Sequence, residues 1–287
     1  MKKLTIGMPV YDDYDGVFFT IQALRMYHPM HEVELLVVDN NPDSEHGKTT
    51  RKFSQDAGAR YIAAPEVKGS GPTKELVFTN ATTPYVMCLD CHVLVWPNAI
   101  ERLLEYFNTD QGDILHGPLI YNDLRSISTH MDPVWRGGSL GIWATDKRGC
   151  ELDAEPFEIP AQGMGLFACR KDAWPNFHPA FRGFGSEECY IHGKFRQQGA
   201  RAMCLPFLRW AHRFGRPSGV PFPMRWEDRI FNYLLGHLEL GLPIEPVLDH
   251  FKTLNLSNIL PDLLAQAQNT FQSHQTKLIS PQQLSPH

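Results

Sequence analysis

Asp90 and His92, two residue types that bind metals and move protons, stand one residue apart in the segment Tyr85-Val-Met-Cys-Leu-Asp-Cys-His-Val93. The segment is apolar up to Leu89 and reads as a short buried strand. Residues two apart in an extended chain project from the same face, so a carboxylate and an imidazole emerge together at the strand's end. That is half of a metal site. Cys88 and Cys91 overlap it as a C-x-x-C. No second Cys or His pair follows at zinc-site spacing, and redox pairs usually open a helix, so these read as strand cysteines.

Further candidates follow other apolar runs. Asp12, with Asp13 and Asp15, comes after Leu4-Thr-Ile-Gly-Met-Pro-Val10; Asp39 closes Glu34-Leu-Leu-Val-Val-Asp39; Lys68 and Gly69-Ser-Gly71 follow Arg60-Tyr-Ile-Ala63. Open α/β sheets bind ligands at the carboxyl ends of their strands. Asp12, Asp39, Lys68, Asp90 and His92 are therefore expected along one edge. Structural roles are open to each as well: a helix cap for the first aspartates, a turn for Asp39, solvation for Lys68.

The elements that must position them follow from periodicity. Val17, Ile21 and Leu24 recur at helical spacing after the first strand, and a polar helix is expected from about 48 to 57 after Asn40-Asn-Pro-Asp-Ser44 stops the second. A third helix covers about 73–80, and Ile100, Leu103, Leu104 and Phe107 give a fourth one apolar side. Strand and helix thus alternate, which argues for an α/β fold with a mostly parallel central sheet flanked by helices.

From about Asp110 the texture changes. One strand is expected over 114–120, and the Gly-, Trp-, Arg- and Asp-rich stretch to Glu158 reads as an inserted subregion. β-type character resumes over 163–169. Gly183-Phe-Gly-Ser-Glu-Glu188 leads into a helix with Ile191 and Phe195 inward, and a final strand covers 201–206 with His212 shortly beyond. Gly215, Pro217, Gly219, Pro221 and Pro223 exclude regular structure over 213–225 and suggest a functional lid. A helix is expected over 225–240, and the last stretch, rich in Gln and Ser, reads as disordered.

With 287 residues, 43% of them apolar, the chain can fill a sizeable core. A net charge of −5 and a pI near 6.2 give no whole-chain reason to expect nucleic acid or an anionic membrane as partner. The apolar run after Met1-Lys2-Lys3 is closed by Pro9 and Asp12, too short for a signal peptide, and no stretch approaches the roughly 18 apolar residues of a membrane helix. Six scattered cysteines fit a reducing compartment, so a soluble cytoplasmic protein is expected.

Four segments, in order and spacing, resemble a GT-A glycosyltransferase of the family-2 or polypeptide N-acetylgalactosaminyltransferase type over roughly residues 3–214. They are Ile6-Gly-Met-Pro-Val10-Tyr11, Val37-Val-Asp39-Asn-Asn41, Leu89-Asp90-Cys-His92-Val93 as a D-x-H motif, and Phe184-Gly-Ser-Glu187-Glu188. The resemblance implies a nucleotide-sugar-binding half over 1–110 and an acceptor-side half over 111–214. Residues 215–270 then form a loop with a helical extension, and 271–287 a tail.

It further implies that Val10, Asp12 and Asp39 serve the nucleoside, with Lys68, Gly69 and Lys74 near the base and phosphates. A divalent cation would be held by Asp90, His92 and the later His212, and mixed oxygen and imidazole ligation suits Mn²⁺ better than Mg²⁺. Arg213, with Arg209 and Arg216, is placed to pair with a diphosphate. Glu187 or Glu188 would accept the proton of a hydroxyl acceptor. Gly163-Met-Gly165 and Trp135 are weaker acceptor-side candidates.

Two departures stand out: Cys91 fills the middle of the triplet, and residues 68–82 lack the family's usual Arg-Asn pair. A sugar-nucleotide pyrophosphorylase would carry a Gly-rich basic loop where Tyr11-Asp-Asp-Tyr-Asp15 stands. A binding protein without turnover would have no need of Glu187 and Glu188. The acceptor is open among a glycan, a protein and a hydroxymethylated DNA base, and oligomeric state is not legible.

Overall fold

The computed structural model describes residues 1–215 and 219–279. The first half contains β1 (Leu4–Val10), α1 (Tyr14–Tyr27), β2 (Val33–Asp39), α2 (Glu45–Asp56), β3 (Arg60–Ala63), α3 (Ser70–Asn80), β4 (Tyr85–Leu89), β5 (Val93–Val95) and α4 (Ala99–Tyr106). Short strands follow: β6 (Ile114–His116), β7 (Leu119–Ile120), β8 (Ile127–Ser128), β9 (His130–Arg136), β10 (Ser139–Ala144), β11 (Phe157–Glu158) and β12 (Leu166–Arg170). Then come α5 (Glu187–Gln197), β13 (Ala202–Cys204), β14 (Trp210–His212), α6 (Trp226–Leu240), α7 (Glu245–Thr253) and α8 (Leu260–Ile279).

The central eight-stranded sheet has the order β11-β13-β6-β12-β4-β1-β2-β3. The strands from β4 to β3 are parallel; β12 runs antiparallel to both β4 and β6, and β11 to β13. The sheet is therefore mostly parallel, as the alternation predicts. Its two faces explain the unbroken apolar runs. Leu35 and Val37 of β2 face one core layer with Ile21 and Leu103, whereas Leu36 and Val38 face the other with Val77 and Phe78. At about 25 cal/mol per Å² of apolar surface, burial on both sides drives this architecture.

The second half departs from the expected outline. The single strand expected over 114–120 is two strands in different sheets: β6 lies in the large sheet, and β7 joins a four-stranded sheet ordered β5-β14-β7-β8. Gly117 and Pro118 separate them. A Cβ on Gly117 would meet the Leu208 carbonyl, and Pro118 cannot donate to a ladder. The region to Glu158 contains the hairpin β9–β10. His212 lies within a strand, β14, rather than beyond the last one.

Three helices, not one, close the described chain. Phe231, Tyr233, Leu234, Val247, Phe251 and Leu263 join the layer that also holds Ile191 and Phe195 of α5. The tail expected to be disordered from 271 is helical through Ile279. Leu263 and Ala267 anchor α8 on the core, and glutamine is a good helix former once an apolar stripe is held. Residues 280–287 of that expected tail lie outside the described residues. Among the described residues, no helix is long and apolar enough to cross a membrane.

Candidate active site

The two small strands β5 and β14 bring the metal-type ligands together. The backbone N–H of Asp90, just past β4, donates to the Gly165 carbonyl at 2.9 Å. His92 directly precedes β5, and antiparallel pairing sets His212 of β14 opposite Val93. The Arg213 N–H donates to the His92 carbonyl, closing the register. The two imidazoles thus meet with Nε2 atoms 3.2 Å apart, and His212 Nε2 lies 3.4 Å from Asp90 Oδ2. One ligand atom from each of Asp90, His92 and His212 lies within 4.8 Å of the other two.

Asp13 stands behind this trio. It caps α1 by accepting from the Gly16 N–H at 3.1 Å, and its Oδ2 lies 3.0 Å from His92 Nδ1. A carboxylate accepts, so the ring proton sits on Nδ1 and the Nε2 lone pair points into the trio. Arg213 donates to both Asp13 oxygens, at 2.7 and 2.8 Å. Burial opposes the charge on Asp13, but the hydrogen bonds from His92 and Arg213 outweigh it and hold the carboxyl well below its usual range. Asp90 behaves alike: burial raises its pKa, while Lys74 and the histidines lower it further. An ionised carboxylate and an oriented imidazole beside a second imidazole form a donor set that fits one divalent cation.

Basic and acidic groups close the other side. Lys74 of α3 is almost fully buried, with Nζ 3.8 Å from Asp90 Oδ1. Burial disfavours its charge, but Asp90 and neighbouring acids outweigh that and raise its pKa. Gly69, at φ 123°, pairs backbone to backbone with Gly183; a Cβ there would meet Gly183 at 2.5 Å. This bridge sets the start of α3 against the start of α5. Glu187 locks the junction, accepting from the Ser70 hydroxyl and from the Gly185 N–H. Glu188 is half-buried; burial and then the charge of Glu187 push its pKa up to about 7.

All of these border one cavity of about 810 Å³. Val10, Lys68, Gly69, Lys74, Asp90 and His92 line it, as do Glu187, Glu188, His212 and Arg213. Two nucleoside candidates do not. Asp12 adopts φ 54° and turns the chain, so Asp13 reaches the cavity instead. Asp39 is fully buried, accepting from the Asn41 N–H at 2.8 Å and the Tyr61 hydroxyl at 2.9 Å.

Arg209 donates to the carbonyls of Pro206, Gly149 and Cys150, away from the cavity. Arg216 lies outside the described residues. Trp135 packs on Tyr233, His250 and Phe251. Its place in the cavity wall belongs to Trp143, whose ring lies 2.8 Å from where a Cβ on Gly163 would stand. The irregular segment after His212 supplies Phe214, Val220 and Phe222 to the wall. Asp13, expected only as a helix cap, also reaches the cavity, and Ser70, Asn40 and Trp143 line it although the sequence singles none of these three out as a site residue.

Comparison with solved structures finds the same architecture. GalNAc-T7, solved with UDP, GalNAc and Mn²⁺, matches 83% of this chain with a TM-score of 0.67 and 15% identity. This chain covers 48% of it, about half its length. S. aureus TarS 1–349 matches with a TM-score of 0.55 and 13% identity, covering 94% of this chain and 72% of that one. The mannosyltransferase PcManGT from Pyrobaculum calidifontis, in complex with GDP-Man and Mn²⁺, gives a TM-score of 0.52 at 13% identity, with 96% and 75% covered. These likenesses establish the GT-A fold. No curated protein matches by sequence. The family model described as Glycosyl transferase family 2 matches residues 5–171, more than half of the chain, which therefore belongs to glycosyl transferase family 2.

Proposed function

We propose that this chain is a metal-dependent glycosyltransferase that moves a sugar from a nucleoside-diphosphate donor to a hydroxyl acceptor. The observation that carries the reading is the convergence of Asp90, His92 and His212 on one cavity, with Asp13 fixing the His92 tautomer. Asp90, His92 and His212 would hold the cation, and imidazole ligation favours Mn²⁺ over Mg²⁺. Bound there, the cation supplies Lewis-acid neutralisation of the departing diphosphate. Mn²⁺ in the GalNAc-T7 and PcManGT structures supports this choice.

The chain's own residues divide the remaining work. Lys74 and Arg213 border the cavity on either side of the trio and would bind diphosphate oxygens. The nucleoside would lie between Val10 at the end of β1 and the Lys68-Gly69 turn. On the acceptor side, Glu187 is occupied at both oxygens and positions the start of α5, which leaves Glu188 as the base. The acceptor oxygen attacks the anomeric carbon, its proton passes to Glu188, and the glycosidic electron pair leaves with the diphosphate. A base with a pKa near 7 suits that step at neutral pH. Direct displacement of this kind inverts the anomeric centre.

The test is a screen of nucleotide sugars against the full chain, with Mn²⁺ or a chelator, scoring release of nucleoside diphosphate. Metal-dependent release from at least one donor is expected. Absence of both binding and release with every donor sinks the proposal.

A further inference from the structure

We infer, building on the glycosyltransferase reading above, that His116 and His192 are positioning residues for the Glu188 base. Two hydrogen bonds run in one direction through them, from His116 Nε2–H to His192 Nε2 and from His192 Nδ1–H to the Glu188 carbonyl.

Both rings lie behind the cavity wall: His116 of β6 is fully buried, and His192 of α5 is 1% exposed. Their Nε2 atoms stand 2.9 Å apart with the ring planes only 17° from parallel, the head-on geometry of an N–H···N hydrogen bond. Each Nδ1 faces a backbone carbonyl, Leu166 at 3.2 Å from His116 and Glu188 beside His192. Carbonyl oxygens only accept, so the three contacts call for three ring protons, and two neutral imidazoles carry two. Burial pushes the pKa of both rings down, that of His192 to about 4, so no third proton is held at neutral pH. One contact therefore sets lone pair against lone pair.

A neighbour decides which one. The backbone N–H of Gln162 can only donate, and it points at His192 Nε2 from 3.3 Å. That nitrogen is an acceptor, and the His192 proton sits on Nδ1. His116 then donates through Nε2, and the contact given up is the looser one, its Nδ1 against Leu166. Gln162 is itself fixed, because its side-chain nitrogen donates to the Gly117 and Thr129 carbonyls.

What the two rings hold is the first turn of α5. Ser186 at its start adopts φ 77° and makes no side-chain cap. Among the described residues, no hydrogen bond from another residue holds the Glu188 carboxylate, so its place beside the cavity follows from its backbone. His192 fixes that backbone at the carbonyl, and His116 ties His192 to the central sheet.

Proton–nitrogen correlation spectra of the full chain, isotope-labelled at histidine, read the tautomers, with the two rings assigned from His116→Gln and His192→Asn. At neutral pH the wild type is expected to carry its ring protons on His192 Nδ1 and His116 Nε2. The kinetic arm scores nucleoside diphosphate release from the donor that the nucleotide-sugar screen identifies. His116→Leu removes the first donor and should lower kcat about tenfold to a hundredfold at unchanged donor KM. His116→Gln, whose amide N–H replaces Nε2–H, should recover most of that loss. The wild-type spectrum decides whether or not the leucine variant folds. A His116 proton on Nδ1, wild-type turnover by His116→Leu, or equal losses in the leucine and glutamine variants overturns the inference while the glycosyltransferase reading stands. Release from no donor removes that reading and this inference together.

Discussion

Replacing Glu188 by glutamine removes a proton acceptor while keeping the side chain's shape, and the structure gives the change two consequences of opposite sign. Burial and the charge of Glu187 hold the Glu188 carboxyl at about 7 against its ordinary 4.5. Only the ionised form accepts the acceptor's proton, so wild-type kcat/KM should climb about tenfold per pH unit below that midpoint and level off above it. Glu188→Gln should lower kcat by roughly 10²- to 10⁴-fold with donor binding unchanged, because the metal-ligand trio is untouched.

Stability moves the other way. A group whose pKa is raised by folding contributes stability that is complete below the unfolded pKa and lost as pH rises through the folded one. The gap between 4.5 and about 7 corresponds to at most roughly 3 kcal/mol. Glutamine cannot ionise, so the variant should be more stable than wild type at about pH 8 and lose that advantage near pH 4. Urea unfolding at both pH values, beside a kinetic pH profile, reads both effects. A variant that keeps wild-type turnover, or is less stable than wild type at the higher pH, rules out Glu188 as a buried ionisable base.

The other expectations concern the ligand trio and the core. His92→Ala and His212→Ala should each weaken Mn²⁺ binding at least about tenfold in calorimetric titration with the donor's nucleoside diphosphate present, and normal metal and donor binding by His212→Ala would remove it as the third ligand. Asp13→Asn keeps every proposed ligand but weakens the acceptor that orients His92; Mn²⁺ affinity should fall about 10- to 100-fold, and an unchanged affinity contradicts the role given to Asp13. Gly7→Ala places a Cβ 2.1 Å from Val77 Cγ1, where α3 packs on β1. Thermal unfolding should report a loss of about 1–3 kcal/mol, and a neutral result means that contact relaxes freely.

The parallel core was legible because its signals are local. β1, β2 and β4 are apolar runs long enough to be buried on both faces, and the Asp90–His92 spacing follows from strand geometry alone. The partner of that pair depends on the antiparallel match of β14 with β5, 120 residues away along the chain between His92 and His212. Order resemblance suggested His212; no periodicity did. Asp12 was preferred to Asp13 because nothing local announces φ 54° at Asp12, which turns the next side chain towards His92. The hairpin β9–β10 escaped through its irregularity, with a bulge between Leu140 and Ile142, although Gly137-Gly138 is a hairpin-turn signal. Without its register, Trp135 and Trp143 could not be told apart as core and cavity wall.

A crystal of the full chain grown with Mn²⁺ and the nucleoside diphosphate released from its donor, measured near the manganese absorption edge, shows directly where the cation sits. One strong anomalous peak is expected within coordination distance of Asp90, His92 and His212. The ligand-type atoms of Asp13, Cys91 and His92 also lie within 4.8 Å of one another, and a peak held by that group instead, or nucleotide bound in the cavity with no metal beside it, would contradict the assignment.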